Sequence, residues 1–246
     1  MKCFRSDLHI HTVLSPCGDL EMSPGNIVAE AVLKGLDIIG VTDHNSTRHC
    51  ELVSRLAADK GITVLQGAEV TTKEEVHCLA FFEKTDALKT FQEFLDSSLP
   101  FVKNDPDIFG HQVQVDENEI IIYEEEKLLI NALSKSLEET EAFVHKLDGL
   151  FIPAHVNRMK NSIYSQLGFL PPDLKADALE FSKSVKQEEF RSLHPETGRY
   201  EVIKSSDAHN LQDIGSAVTV FCLNEPTFSE IRLALRRAGE RKIYYR

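Results

Sequence analysis

The chain has 246 residues, of which 42% are hydrophobic and 27% charged, and its formal net charge is −12 with histidine neutral. That length buries a substantial core without disulfides. No apolar run approaches the ~18 residues of a membrane span, and residues 1–7 mix charges with their few apolar side chains, so a soluble, cytoplasmic protein with no membrane partner is expected. The acidity argues against non-specific binding of nucleic acid, whose affinity comes largely from Lys and Arg on phosphates, and suits cations. Cys3, Cys17, Cys50, Cys78 and Cys222 are odd in number and never spaced as CxxC, so neither a disulfide framework nor a thiolate zinc site is expected.

In chain order, Asp7-Leu8-His9-Ile10-His11 comes first. On a strand the two histidines point to one face, because side chains repeat every two residues, and adjacent imidazoles make a ready metal chelate. Residues 26–34 place Ile27, Val28, Ala31 and Val32 on one helical face, and Gly35 ends that helix. Residues 36–41 are apolar almost throughout, as a strand buried on both faces would be, and run into Thr42-Asp43-His44-Asn45. A second helix carries Leu52, Val53, Leu56 and Ala57 and stops at Gly61; a strand over 62–65 then leads to Glu69, and Val76-His77-Cys78-Leu79 reads as another strand.

Residues 84–147 break this rhythm. They predict a helix with Leu88, Phe91, Phe94 and Leu95, a hairpin over 112–123, and helices over 124–131 and 137–147. No Pro/Gly/Ser linker bounds the segment, so it is read as an irregular elaboration within one domain spanning 1–246. A strand over 150–154 then delivers His155, one near 178–181 follows, and one over 202–205 delivers Asp207 and His209. Thr227 and Glu230 predict a capping box for a last helix carrying Ile231 and Leu235.

Alternating helices and strands predict an α/β fold with parallel strands. A length close to about 250 residues fits a (β/α) barrel, whose functional residues gather at the C-terminal ends of strands. The histidines and carboxylates lie at those predicted ends. Taken singly, each has a bland reading as a capping Asp, a helix-start His or a solvated Glu; their shared placement points to a metal site. Imidazoles and carboxylates without thiolates suit zinc, manganese or iron, and such a donor set argues for hydrolysis over a structural role. His49, His111, His145 and His194 are read as ordinary core or surface histidines.

Asp7-Leu8-His9-Ile10-His11-Thr12, Val41-Thr42-Asp43-His44-Asn45, Gly67-Ala68-Glu69, Pro153-Ala154-His155 and Ser206-Asp207-Ala208-His209 resemble, in this order and over nearly the whole chain, the motifs of the PHP (polymerase and histidinol phosphatase) family. The resemblance implies a distorted seven-stranded, TIM-like (β/α) barrel, three divalent metal ions (Zn, Mn or Fe) and phosphoester hydrolysis. Carried over position by position, it implies nine ligands. His9, His11, Glu69 and Asp207 hold one metal, Glu69 bridges to a second held with His77 and His155, and Asp19, His44 and His209 hold a third. Glu21 competes with Asp19. Asp7 and Asp43 are expected to orient ligands by accepting imidazole N–H bonds, and Cys17 and Cys78 to pack or line the site.

The implied enzyme is a phosphatase in which water acidified by the metals attacks phosphorus, with Glu69, Asp207 and His209 as its catalytic residues. Arg158, three residues after His155, is the first candidate for binding the phosphate; Arg199 is the second, and Lys183 and Arg48 are weaker. The expected partner is a small phosphomonoester of nucleotide, sugar-phosphate or histidinol-phosphate type. The chain has no Trp and no Lys/Arg run beyond Arg236-Arg237, which speaks against an extended nucleic-acid groove. The alternatives are a phosphodiesterase or exonuclease on oligonucleotides, and an amidohydrolase-like metal hydrolase, whose barrels also begin with His-x-His.

Overall fold

The computed structural model describes residues 1–183 and 187–245. Its frame is a seven-stranded sheet of β1 (Lys2–Ile10), β2 (Ile38–Val41), β3 (Thr63–Thr71), β4 (His77–Phe82), β7 (Leu150–Pro153), β10 (Thr219–Leu223) and β11 (Lys242–Tyr245), in the spatial order β11-β10-β1-β2-β3-β4-β7. Two small sheets pair β5 (Val113–Val115) with β6 (Ile121–Glu124), and β8 (Leu179–Phe181) with β9 (Val202–Lys204). The helices are α1 (Pro24–Leu33), α2 (Cys50–Ala58), α3 (Thr85–Ser98), α4 (Pro106–Phe109), α5 (Leu137–Lys146), α6 (Ile163–Leu167), α7 (Gln187–Leu193) and α8 (Phe228–Leu235). Among the described residues no helix is long and apolar enough to cross a membrane.

The α/β class stands, but the expected closed barrel does not: the sheet curls into an open half-barrel of mixed direction. Only β1, β2 and β3 run parallel within it, linked by α1 and α2, while β3–β4, β4–β7, β1–β10 and β10–β11 are antiparallel. The reason is visible between β3 and β4. Residues 72–76 are too few for a crossover, which needs a dozen or more, so the chain turns back as a hairpin. β8 and β9 have three residues each and pair with one another instead of completing the seven-stranded sheet.

Local chemistry sets the element ends. Ser23 caps α1 by accepting the Asn26 N–H, with Pro24 inside the first turn. α1 buries Ile27, Val28 and Ala31 but leaves Val32 48% exposed, off the predicted face. α5 begins on a full capping box of Ser136 and Glu139. The box predicted at α8 is only half formed. Thr227 accepts from the Glu230 N–H, but the Glu230 carboxylate takes the Asn224 N–H and Arg241 instead.

The helix predicted over 124–131 is absent. The buried Gln112 side chain donates to the Glu125 and Lys127 carbonyls and accepts from the Leu129 N–H, which holds that backbone extended. Cys3 and Cys222, 219 residues apart, face each other across the β1–β10 pair and form a disulfide. This pairing, contrary to expectation, is set by sheet register and not by sequence spacing.

One apolar cluster fills the concave side, with Leu8, Ile38, Leu65, Phe81, Ile152, Ile203 and Phe221 closed by Phe228, Ile231 and Leu235 of α8. A larger one packs the helices on the convex side, with Ile27, Val53, Phe91, Val144 and Phe151. Fully burying each such side chain contributes about 1.5–3 kcal/mol. Strands approach closely just beneath the ligand-bearing ends: a Cβ on Gly67 would lie 2.0 Å from the Ala80 carbonyl oxygen, so only glycine fits there.

Candidate metal centre

The candidate ligands come from the mouth-side ends of six strands. His9 is the last residue but one of β1, with His11 just beyond the strand; His44 follows β2, Glu69 lies near the end of β3, His155 follows β7, and Asp207 and His209 follow β9. His77 begins β4, and because β4 runs antiparallel to β3, its start reaches the same end of the sheet. A β-bulge on β1 between Asp7 and Ile10 sends Leu8 to the concave cluster and Ile10 to the convex one. Bulges re-aim side chains in this way, and here both His9 and His11 face Glu69. The mouth also carries strained backbone, with φ of 45° at Asn45, 30° at His155 and 55° at Asp207.

Glu69 is the hub. Its Oε1 lies 2.9 Å from His77 Nδ1, 3.1 Å from His155 Nε2 and 3.3 Å from His9 Nε2, and its Oε2 lies 3.2 Å from His44 Nδ1 and 3.4 Å from His11 Nε2. Asp207 Oδ1 lies 3.3 Å from Nε2 of both His9 and His11. The His209 ring sits 4.2 Å from that of His11. Three groups, each with donor atoms within 4.8 Å of one another, could hold a cation: His9, His11, Glu69 and Asp207; His44, Glu69 and His77; and His11, His44 and His209.

The hydrogen bonds around this cluster suit it to cations. His9 Nδ1 donates to Glu180 at 3.0 Å, which leaves Nε2 as a lone pair. The Ser15 hydroxyl donates to Asp43 at 2.6 Å and so accepts from His11 Nδ1 at 3.0 Å, which leaves that Nε2 as a lone pair too. When both rings are neutral the two Nε2 atoms, 3.2 Å apart with two carboxylates beside them, face one another as acceptors. Asp207 Oδ1 and Nδ1 of His44 and His155 are buried without a hydrogen-bond partner. Buried acceptors facing one another are costly unless a cation or proton joins them.

Titration follows the same geometry. Burial lowers the proton affinity of His9, but the carboxylates of Glu180, Asp207 and Glu69 outweigh it and raise its pKa well above the ordinary value. Burial likewise opposes protonation of His11, and bonds from Asp207 and Glu69 still push it up to about 9. Burial would raise Glu69, yet His77, His9 and His44 hold it well below the carboxylate range. His44 and His209, buried and beside His11, are pushed down, His209 to about 4. Protons on His9 and His11 thus offset the carboxylate charge when no cation does.

The structure brings eight of the nine predicted ligands together. Asp19 stands apart: its backbone N–H bonds the His209 carbonyl, but its carboxylate is exposed and accepts the Glu21 N–H at 2.8 Å. Cys78 is buried in the convex cluster, and burial pushes the exposed-loop thiol of Cys17 up to about 12, far from a thiolate. Asp7 and Asp43 do not accept imidazole N–H bonds as expected. Asp7 receives the Ser206 and Gly215 N–H groups, and Asp43 acts on His11 only through Ser15. The direct carboxylate partner is Glu180 of β8, which also accepts the His155 N–H at 3.0 Å. Its signal in the sequence was a lone acid inside the apolar run Ala178-Leu179-Glu180-Phe181.

A cavity of about 460 Å³ opens over the cluster, lined by His44, Glu69, His77, His155, Asp207 and His209, with Arg158, Met159, Lys160 and Asn161 at its rim. Arg158 pairs with Asp207 Oδ2 at 2.5 Å. The other predicted cations are not brought there. Arg199 donates to the Pro171 and Pro172 carbonyls, Lys183 pairs with Asp213, and Arg48 pairs with Asp96 beside a separate groove between α2 and α3.

Fold and site together define an open α/β half-barrel with a histidine–carboxylate cluster at its mouth. The chain belongs to the PHP domain family, whose model matches residues 7–161, and a PHP-associated model matches residues 199–239. The uncharacterized protein YqxK of Bacillus subtilis is 27% identical over 278 aligned positions, covering 99% of this chain and 64% of its own length. The lesion-specific endonuclease PfuEndoQ of Pyrococcus furiosus shares the fold with a TM-score of 0.71 at 23% identity, over 98% of this chain and 57% of that one. Endonuclease Q with a 27-mer duplex carrying an abasic lesion at its active site gives 0.69, at 23% identity, over 98% and 58%. A candidate metal-dependent phosphoesterase of Bifidobacterium adolescentis gives 0.63 at 19% identity, covering 96% of each chain. This chain thus spans less than two thirds of the length of YqxK and of the endonuclease.

The endonuclease neighbours overturn the expectation of a small phosphorylated partner with extended nucleic acid set aside. Net charge sums the whole surface and does not decide what meets the mouth, where Arg158 and Lys160 stand.

Proposed function

We propose that this protein is a metal-dependent phosphodiesterase acting on nucleic acid. The observation that carries the reading is the convergence of the His9 and His11 Nε2 atoms with the carboxylates of Glu69 and Asp207, a set that a cation or proton must join, beneath an open mouth rimmed by cations. His9, His11, Glu69 and Asp207 would hold one ion, Glu69 with His77 and His155 a second, and His44 and His209 a third, with Asp19 from the rim. Zinc, manganese or iron suits these donors. Ions bound there would supply positive charge for the phosphoryl oxygens and acidify water.

The protein's own groups do the rest. Glu180 keeps the proton of His9 on Nδ1, and Ser15 with Asp43 does the same for His11, so that both Nε2 atoms stay available as ligands. Arg158 offers guanidinium N–H groups to a phosphodiester oxygen at the mouth. The reading of residues 1–246 as one unit with 84–147 as an elaboration fits this scheme, since Ile130 and Asn131 of that segment wall a side cavity shared with His44 and His77. An open mouth admits a chain without requiring its end, and the endonuclease neighbours support a polymeric substrate.

The test is metal analysis of the purified protein joined to cleavage assays on bis(4-nitrophenyl) phosphate and on single-stranded, intact-duplex and abasic-duplex oligonucleotides. Cleavage that stops in chelator and returns with added metal is expected. No diester cleavage with zinc, manganese or iron would sink the reading.

A further inference from the structure

We infer that Met159 is a wedge that enters the base stack of a bound nucleic acid, with Arg158 and Lys160 on the phosphates beside it. The inference rests on the reading of the site as a nucleic-acid phosphodiesterase and adds a recognition element to it. Met159 is 92% exposed, the most exposed of the large apolar side chains, and it stands at the rim of the cavity over the ligand cluster. A lone exposed apolar residue is ordinary on a protein surface. Three features set this one apart.

First, its loop is fixed. The Val156 N–H bonds the Glu180 carbonyl, the Arg158 N–H bonds the His155 carbonyl, and the His77 N–H bonds the Asn161 carbonyl. The Ser162 hydroxyl donates to the Arg158 carbonyl, and Asn157 and Ser182 bond each other twice. Positive φ at His155 (30°) and Asn161 (55°) turns the chain sharply at both ends of the loop. Met159 is therefore held out between two anchored flanks, which limits what ordering on binding costs.

Second, the tip is flanked by cations. Arg158 leans inward to Asp207, and Lys160 has no carboxylate partner among the described residues. Cation, apolar tip, cation is the pattern that meets phosphate, base stack and phosphate, and it fits a protein partner less well. Third, the side chain suits insertion. Methionine is unbranched and polarizable and makes favourable sulfur–aromatic contacts, and apolar wedges of this kind open base steps at the cost of unstacking.

The experiment uses the full chain and duplexes of phosphorothioate backbone that carry 2-aminopurine beside either an intact or an abasic central position. Saturating wild-type protein should raise 2-aminopurine fluorescence several-fold by unstacking the base. Met159→Ala should abolish the rise at saturation, and Met159→Leu should restore it. Lys160→Gln should weaken binding and make the log–log salt dependence shallower by about one. An equal fluorescence rise with Met159→Ala, or none with wild type, overturns the wedge. The functional reading is scored separately on bis(4-nitrophenyl) phosphate, which has no bases: wild-type protein that cleaves it but leaves 2-aminopurine stacked removes the wedge alone.

Discussion

Both ends of the sheet carry charged side chains and use them in opposite ways. Where β7, β8 and β9 begin, every arginine has an acceptor: Arg232 meets Asp148, Arg237 meets Glu201, Arg236 lies 3.8 Å from Asp177, and Arg199 clamps two proline carbonyls. Where the strands reach the mouth, buried carboxylates and imidazoles face one another, and among the described residues Arg158 on the rim is the single arginine lining the cavity. A matched set of charges is a structural device, worth little when exposed. A buried set of acceptors without donors is costly unless something cationic completes it. Unpaired acceptor chemistry, and not charge density, marks the site.

The contrast can be broken most severely at the hub. Glu69→Ala or His9→Ala should cut diester hydrolysis by roughly 10³-fold or more and release bound metal, with far-UV circular dichroism unchanged. Retained metal and activity in either variant would dissolve the distinction between the two ends. Glu180→Gln should be milder, lowering metal affinity by about 10–100-fold in a competition titration, because the amide no longer fixes the His9 proton on Nδ1.

The pH dependence of metal binding sharpens the comparison further. In the metal-free protein His11 is pushed up to about 9 and His9 well above its ordinary value, so the imidazole pair holds protons near neutrality that a metal must displace. Apparent affinity should therefore rise as pH rises toward 9 and fall as it drops, by about tenfold per pH unit for each proton released. Calorimetry in buffers of different ionisation heat counts those protons; zero release would contradict the assignment. The smallest effect belongs to the other end. Arg237→Ala should cost about 1 kcal/mol or less, a Tm shift of at most roughly 2–4 °C in a scanning measurement, with metal content untouched.

Much of the site was legible because its side chains sit at apolar-run ends and at the two-residue spacing of a strand, as in His9–His11 and Asp207–His209. Glu180 was not, because its meaning depends on His9, 171 residues away. Asp43 was assigned the wrong immediate partner because only packing interposes Ser15. Residues 124–131 looked helical, but the buried Gln112 side chain just ahead of β5 captured their backbone. Arg199 carried the right charge for a phosphate but lies where strands begin.

By itself the sequence indicated which side chains could gather at strand ends, through the His9–His11 and Asp207–His209 spacing and the family resemblance, and that strands alternate with helices. Tertiary structure alone decided that the sheet stays open, that Cys3 meets Cys222, which proton sits on which imidazole nitrogen, and which cations reach the mouth. Those outcomes depend on strand direction, register and hydrogen bonds between residues far apart in the chain, and no local pattern encodes them.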